Sequence, residues 1–223
     1  MPTPSVIAMD GPVASGKTAV GREIARRLGY RFIDTGLMYR AVAFIALREA
    51  IALDDEAALA RKAAAMHMTL ESDATGDRLV VDGEALTHEL RSAAVEAAVS
   101  TVAAVRDVRL AMVAQQRLMA EEGSVVMVGR DIGTKVLPQA AKVYLDASLD
   151  ERVRRRLADT TGRTGSSTEA AVRANAELRD KMDSERTEGP LRVAEGALHM
   201  QTDGLDIGAV ADRVIRHLGG GEA

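Results

Sequence analysis

One eight-residue stretch near the N-terminus constrains the fold of this chain more than any other. It reads Gly11-Pro12-Val13-Ala14-Ser15-Gly16-Lys17-Thr18 and matches G-x-x-x-x-G-K-[ST] at every fixed position. A short apolar run from Ser5 to Met9 precedes it, and apolar residues at helical spacing follow it from Thr18 to Leu28. This setting is typical of the phosphate-binding loop, or P-loop, that joins a strand to a helix in α/β proteins.

The loop has the chemistry of a phosphate cradle. Its small residues let backbone N–H groups turn inward around a β-phosphate, at the positive end of the following helix. Lys17 is then expected to bridge the β- and γ-phosphates, and the Thr18 hydroxyl is expected to ligate Mg²⁺. We therefore predict that residues 11 to 18 bind a nucleoside triphosphate. The alternative is a glycine-rich turn that binds nothing.

The rest of the chain alternates strand and helix patterns, as in a parallel sheet covered by helices. Four further apolar runs predict strands, at Tyr30 to Ile33, Ser124 to Val128, Lys142 to Leu145 and Leu198 to Gln201. We expect a three-layer α/β fold with about five parallel strands and with inserted pieces after the second and the fourth. Asp82-Gly83, between apolar runs, predicts a hairpin and thus a small antiparallel sheet in the first insertion.

Composition excludes several classes of protein. The 223 residues include no cysteine, so disulfides and thiolate metal sites are excluded, and a reducing cytoplasm is the expected location. No apolar stretch approaches the roughly 18 residues of a membrane span. A formal net charge of −4, with two Phe, three Tyr and no Trp, argues against a nucleic-acid surface. The N-terminus lacks the basic start of a secretory signal, and we expect it to be the mature one.

Three classes of P-loop protein remain open at this point: a small-molecule or nucleotide kinase, a GTPase or motor ATPase, and a non-catalytic nucleotide-binding module. The chain lacks the N-K-x-D with which GTPases read guanine, and its best Walker-B strand ends in Gly129-Arg130-Asp131 instead of a plain acidic pair. An arginine there suits a second anionic group near the γ-phosphate, because phosphoryl transfer depends mainly on positioning and charge stabilisation. The residues favour a kinase with a phosphorylated acceptor.

Four motifs in order make the chain resemble the bacterial cytidylate kinases, which phosphorylate CMP and dCMP with ATP. They read DGPVASGKT, DTGLMYRAV, VGRDIGT and LRDKMDSERTEGPL, and they span the chain nearly end to end. The resemblance implies a single unit with a core (1–34, 105–150 and 168–223), a monophosphate-binding insertion (35–104) and a short lid (about 151–167). The chain departs from the family at Lys181-Met182, at Gly189 and in the lid-side loop DTTGRTGSST.

The resemblance also assigns CMP-binding roles to single residues. Its second motif implies that Asp34, Thr35, Tyr39 and Arg40 lie around the bound monophosphate, where Arg40 would grip phosphate oxygens as a planar fork. Without the motif, Tyr39 and Arg40 would be an ordinary helix face. Ser100 and Arg109 align with family positions that read cytosine.

The third motif implies that Arg130 binds phosphate and that Asp131 contacts the base. A carboxylate suits cytosine, because the exocyclic N4 amine is a donor, whereas uracil offers an acceptor oxygen at that place. The alternative for Asp131 is to hold Mg²⁺ through water. In the last motif Arg179, Asp183 and Arg186 would contact the ribose and the transferring phosphates. Their spacing predicts one helical face, which could instead be a surface of salt bridges.

The resemblance completes a set of expectations for the reaction. Lys17, Arg130, Arg179 and Arg186 are the predicted catalytic residues. Arg154, Arg155 and Arg156 lie where the lid begins, and Arg156 is the one we select for ATP binding. The predicted partners are ATP and CMP or dCMP, with Mg²⁺ as the cofactor and with neither nucleic acid nor membrane, and a monomer is expected. A pyrimidine monophosphate kinase that uses UMP nearly as well, and an ATP-sensing binding module, are the alternatives.

Overall fold

The computed structural model describes residues 3–73, 76–160 and 168–219. The strands are β1 (Val6–Asp10), β2 (Arg31–Asp34), β3 (Met68–Asp73), β4 (Gly76–Val81), β5 (Glu84–Leu86), β6 (Val125–Gly129), β7 (Ala141–Asp146) and β8 (Leu198–Gln201). The α-helices are α1 (Lys17–Leu28), α2 (Thr35–Arg48), α3 (Glu56–Ala65), α4 (Ala93–Ala104), α5 (Arg106–Ala120), α6 (Leu149–Thr160), α7 (Glu169–Glu185) and α8 (Ile207–Gly219). None of the helices so described is long and apolar enough to cross a membrane.

A five-stranded sheet with the order β2-β6-β1-β7-β8 confirms the predicted parallel α/β fold. Strand β1 runs parallel to both β6 and β7, and β8 runs parallel to β7. Strand β6 is buried along its whole length, which explains its continuous apolar sequence. The small antiparallel sheet β3-β4-β5 lies in the segment that follows β2, as the sequence predicts.

The residues 1–32 and 122–223 form one compact unit. Its core joins Ile7 and Met9 of β1 to Val126 and Val128 of β6, and the helices α1 and α8 cover it. Helix α1 ends where Gly29 takes a left-handed conformation with φ of 66°, and its N–H bonds to the carbonyl of Ala25. This is the glycine stop that the sequence predicts.

Residues 33–121 form a second compact unit. Helices α2 to α5 pack around Met38, Leu59 and Met112, together with the antiparallel sheet β3-β4-β5. The predicted hairpin is present, since Asp82 and Gly83 have φ of 50° and 86° between β4 and β5. The predicted insertion ended at residue 104, whereas α5 groups with this unit because it packs against α3. The roles of core, insertion and lid remain predictions. Residues 161–167 of the predicted lid lie outside the described residues.

Candidate active site

The P-loop occupies the turn between β1 and α1 that the motif predicts. Gly11 has φ of 154°, and a Cβ there would overlap the carbonyl oxygen of Leu145 and lie 2.9 Å from Oγ of Ser15. Ala14 adopts φ of 60° and Gly16 φ of 95°, so the loop depends on backbone conformations that favour small residues. The turn is therefore tight enough that a larger side chain at Gly11 would displace it.

The polar groups of the loop fit a phosphate. Oγ of Ser15 is fully buried and has no hydrogen-bond partner among the described residues. Nζ of Lys17 is buried and donates to the carbonyl oxygen of Pro12 at 2.8 Å, across the loop. Thr18 is exposed in the first turn of α1, where a hydroxyl can reach a metal ion bound to phosphate. Ser15 and Lys17 can thus donate to a phosphate, and the Thr18 hydroxyl can ligate the Mg²⁺ bound to it.

Asp10, the last residue of β1, holds the turn that follows β6. Its Oδ1 accepts from the amide of Ile132 and its Oδ2 from the amide of Gly133, both at 2.8 Å. Burial raises the pKa of Asp10 to about 6, although both amide bonds act in the opposite direction. Ile132 begins a π-helical turn, Ile132–Val136, directly after Arg130 and Asp131. The sequence reasoning gave Asp10 no role, although it adjoins the motif.

Two arginines of α6 contact backbone carbonyl oxygens of the P-loop. Nη1 of Arg152 lies 3.4 Å from the carbonyl oxygen of Val13, and Nη1 of Arg155 donates to that of Ser15 at 3.0 Å. Arg155 also donates to the carbonyl of Thr202. The Thr202 hydroxyl, with one proton to donate, lies 2.9 Å from the carbonyl oxygen of Asp146 and 3.1 Å from that of Ser15. Sequence reasoning assigned neither Arg152 nor Thr202, and it did not select Arg155.

The three α6 arginines proposed for the lid have different surroundings. Arg154 is mostly exposed and pairs with Glu151, which also pairs with Nε of Arg155 at 2.8 Å. Arg156, the residue selected for ATP, is partly buried. Its role in ATP binding remains a prediction.

A buried cluster of charges joins the turn after β6 to the end of α7. Nε of Arg130 donates to Oδ2 of Asp183 at 2.7 Å. Arg186 lies 3.5 Å from both Asp131 and Asp183, and its side chain is only 5% exposed. Burial by itself would raise the pKa of Asp183. The positive charges of Arg130 and Arg186 have a larger effect in the opposite direction, so the pKa lies below its usual value.

This cluster differs from the sequence prediction in one respect. The predicted helical face spans Arg179, Asp183 and Arg186, but α7 ends at Glu185, and Arg186 is extended with ψ of 144°. Its Nε donates to the carbonyl oxygen of Gly189 at 2.7 Å, which holds the side chain in place. Asp183 is buried in this cluster and does not lie on the exposed surface considered as the alternative.

In the second unit, the predicted phosphate ligand Arg40 already has an anionic partner. Its Nη2 lies 2.7 Å from Oε2 of Glu96, and its Nη1 donates to the carbonyl oxygen of Leu90 at 3.1 Å. Both side chains of the ion pair are less than 20% exposed. No sequence motif points to Glu96, because it lies 56 residues from Arg40 and on α4.

The other predicted CMP residues of this unit lie near the start of α2 and on α4 and α5. Asp34 caps α2 by accepting from the amide of Gly36 at 3.0 Å, and Thr35 is buried in the first turn. The guanidinium of Arg109 lies over the ring of Tyr39, 5.3 Å from its centre, and both residues are buried. Ser100 is partly buried on α4. The structure thus pairs Tyr39 with Arg109, which the separate motifs did not predict.

Comparison with known proteins assigns the chain to a family. The family model for cytidylate kinase matches residues 7–219. A cytidylate kinase of Geobacillus sp. (strain WCH70) is 46% identical over 210 residues, covering 94% of both chains. The chain belongs to the cytidylate kinase family. A cytidylate kinase of Symbiobacterium thermophilum is similarly related, at 45% identity over 95% of both chains.

Membership of the cytidylate kinase family confirms the resemblance seen in the sequence and makes the chain a kinase. A solved structure of an uncharacterized protein from Eubacterium ventriosum aligns with a TM-score of 0.52, covering 96% of this chain and 97% of that chain. That protein is 12% identical and therefore shows similarity of fold alone.

Proposed function

We propose that this kinase transfers the γ-phosphoryl group of ATP to CMP and dCMP, giving ADP and CDP or dCDP. One observation supports the proposal beyond family membership. The P-loop and the Arg130-Asp131 turn leave the neighbouring parallel strands β1 and β6 at the same edge, where Asp10 and Gly129 are register partners. Ligands of open α/β sheets bind beyond the carboxyl ends of the strands, so a donor loop and an acceptor turn there can serve one reaction.

The donor half of the site is the P-loop. Residues 11 to 18 bind the ATP phosphates, with Lys17 on the β- and γ-phosphates and with Arg156 near them from α6. Release of Nζ from the Pro12 carbonyl lets Lys17 reach the nucleotide. Bound Mg²⁺ neutralises phosphate oxygens, and Thr18 is the protein ligand we assign to it.

The acceptor half consists of arginines and of groups that orient CMP. Arg130, Arg179 and Arg186 stabilise the charge of the two phosphates as the phosphoryl group moves. An oxygen of the CMP phosphate attacks the γ-phosphorus in line, and ADP leaves. No general base is needed, since the acceptor phosphate is already ionised near neutral pH. The further residues that we assign to CMP are Asp34, Thr35, Tyr39, Arg40, Ser100, Arg109, Asp131 and Asp183.

Asp131 supplies the preference for cytosine. Its carboxylate accepts from an exocyclic amine, and it opposes the carbonyl oxygen that uracil presents at the same place. The residue is buried beside Arg186, so solvent would screen little of the repulsion between its carboxylate and a uracil carbonyl oxygen. A pyrimidine monophosphate kinase that also uses UMP would lack this discrimination.

A turnover assay tests the proposal. The protein is incubated with ATP, Mg²⁺ and one monophosphate at a time, and ADP and the nucleoside diphosphate are quantified. Equimolar ADP and CDP with CMP, and far less turnover with UMP, is the expected result. Absence of ADP with every acceptor would favour an ATP-binding module without catalysis.

The remaining assignments complete the proposal. The residues 35–104 bind the monophosphate, the segment of about 151–167 acts as a lid, and the other residues form the core. The enzyme acts as a monomer, which light scattering would test. The absence of cysteine in all 223 residues supports a cytoplasmic location.

A further inference from the structure

Asp10 is a buried carboxylate that the proposed reaction does not use. Its side chain is in the interior, with the residue only 3% exposed. Each of its two oxygens accepts one backbone amide, that of Ile132 or that of Gly133, at 2.8 Å. These two amides directly follow Arg130 and Asp131 in the chain. A Cβ at position 133 would lie 3.4 Å from Oδ2 of Asp10, so the turn approaches the carboxylate closely.

We propose that Asp10 is a positioning residue, whose carboxylate holds the turn bearing Arg130 and Asp131 in register with the strand end from which the P-loop starts. The inference rests on the proposed phosphoryl transfer. The reacting atoms of the donor and acceptor phosphates must be held in line, about 3 to 3.5 Å apart, and a misplacement of about 1 Å can lower the rate about 10²-fold. A contact that joins the two halves therefore acts on turnover without touching a substrate.

The choice of a carboxylate follows from the geometry. Two parallel N–H donors need two acceptor oxygens, and only an ionised carboxyl offers both without a hydrogen in the way. Asparagine would replace one acceptor with an NH₂ group that faces a donor. An apolar residue would leave both amides without this partner.

The cost of burying this carboxylate argues against a role in stability alone. Burial is the largest influence on Asp10 and, with the charge of Asp131, raises its pKa to about 6, while Lys17 lowers it. The phenol of Tyr144 on β7 also lies within the field of Asp10. Since the folded pKa exceeds the unfolded one, ionisation of Asp10 lowers stability as pH rises from about 4 to about 6. The chain thus keeps a charge that weakens the folded state at neutral pH.

The first test compares Asp10→Asn with wild type. We expect kcat with ATP and CMP to fall about 10²-fold, while the affinity for ATP alone, measured by calorimetry, stays close to the wild-type value because the loop is intact. Asp146→Asn is the matched control, since Asp146 ends the neighbouring strand β7 and also accepts a backbone amide, that of Ala147 at 2.9 Å. The control should retain the wild-type kcat.

The second test uses the wild-type protein without substrates, so it does not depend on a variant that folds. The amide resonances of Ile132 and Gly133 are followed by NMR between pH 4.5 and 8. Both are expected to shift with one common midpoint near pH 6, because protonation of Asp10 weakens both hydrogen bonds. In Asp10→Asn the same resonances should not titrate.

Several results would overturn the inference. A wild-type kcat in Asp10→Asn would do so, as would a loss of ATP affinity as large as the loss of kcat, which would place the effect in the loop itself. Amides that do not titrate in the wild type would contradict the geometry. A wild-type protein that makes no CDP would instead refute the proposed function, and the amide titration would still report on Asp10.

Discussion

The guanidinium of Arg155 donates to the carbonyl oxygen of Ser15 at 3.0 Å, and so binds helix α6 to the P-loop. The Thr202 hydroxyl accepts from Arg155 at 3.0 Å, and it lies closer to the carbonyl oxygen of Asp146, at 2.9 Å, than to that of Ser15, at 3.1 Å. Arg155 thus holds the Ser15 carbonyl in one direction, and the following peptide N–H group is oriented with it. Glu151 in turn holds Nε of Arg155 at 2.8 Å, so the arginine has a defined position.

Arg155→Ala should weaken ATP binding. Hydrogen bonds from a charged group contribute about 1.5 to 3 kcal/mol, so the Kd for ATP is expected to rise at least about tenfold. Calorimetric titration with ATP and Mg²⁺ measures the change. The control is Arg26→Ala, which removes an exposed arginine paired with Glu23 on α1. Equal ATP affinity in Arg155→Ala and wild type would show that this contact does not prepare the loop.

Glu96→Gln should improve the affinity for CMP. Glu96 neutralises Arg40 at 2.7 Å, and the CMP phosphate must share or replace this partner if Arg40 grips it. An ion pair near the surface contributes up to about 1 kcal/mol, so KM for CMP is expected to fall by up to about fivefold with kcat unchanged. Glu84→Gln, which breaks the exposed pair with Arg48, is the control. A higher KM would instead mean that Glu96 orients Arg40 for binding.

Asp131→Asn should relax the choice of base. The amide of asparagine can donate to the uracil oxygen and can still accept from the cytosine amine. We expect the ratio of kcat/KM for CMP to that for UMP to fall at least about tenfold. Initial rates with both acceptors measure the ratio. An unchanged ratio, with both rates reduced equally, would assign Asp131 to the metal and phosphates, as the alternative holds.

Asp183 should make the folded state sensitive to acid. Its folded pKa is lowered, because the charges of Arg130 and Arg186 outweigh burial. Its contribution is therefore present above an unfolded pKa near 4 and is lost as pH falls through the lower folded pKa. Asp183→Asn should lower stability by about 3 kcal/mol at pH 7 and by much less near pH 2.

Thermal unfolding across pH checks this prediction. Asp10→Asn is an informative comparison, because the pKa of Asp10 is raised and its contribution has the opposite sign. The stability of the wild type relative to Asp10→Asn should therefore decline between about pH 4 and pH 6. A pH-independent difference between wild type and Asp183→Asn would contradict the ion-pair explanation.

Much of the fold could be predicted because its signals are local. The P-loop pattern, the apolar strands and the glycine stop at Gly29 each depend on neighbouring residues, and the strands lie within one or two residues of their predicted bounds. The Asp82-Gly83 hairpin is local in the same way. Arg186 shows the limit of this reasoning, because periodicity placed it on α7 whereas the helix ends one residue before it.

The partners of the site residues could not be predicted, because they depend on tertiary packing. Arg155 and Ser15 are 140 residues apart, and Arg40 and Glu96 are 56 apart. Sequence reasoning selected Arg156 from three neighbouring α6 arginines, whereas Glu151, Thr202 and the carbonyl of Ser15 hold Arg155. Asp10 directly precedes the P-loop motif in the sequence. The amides that it binds follow β6, and only the pairing of β6 with β1 brings them next to Asp10.

Phosphoryl transfer at the P-loop is tested most directly by the rate of CDP formation from ATP and CMP, at saturating concentrations of both, in wild type and in Lys17→Ala. Lys17 carries the charge that the transferring phosphoryl group requires, and loss of one such stabilising group typically costs about 10²- to 10³-fold in kcat. We expect the wild type to form equimolar ADP and CDP rapidly, and we expect kcat to fall at least about 10²-fold in the variant. Near-normal turnover in Lys17→Ala would contradict phosphoryl transfer at this loop.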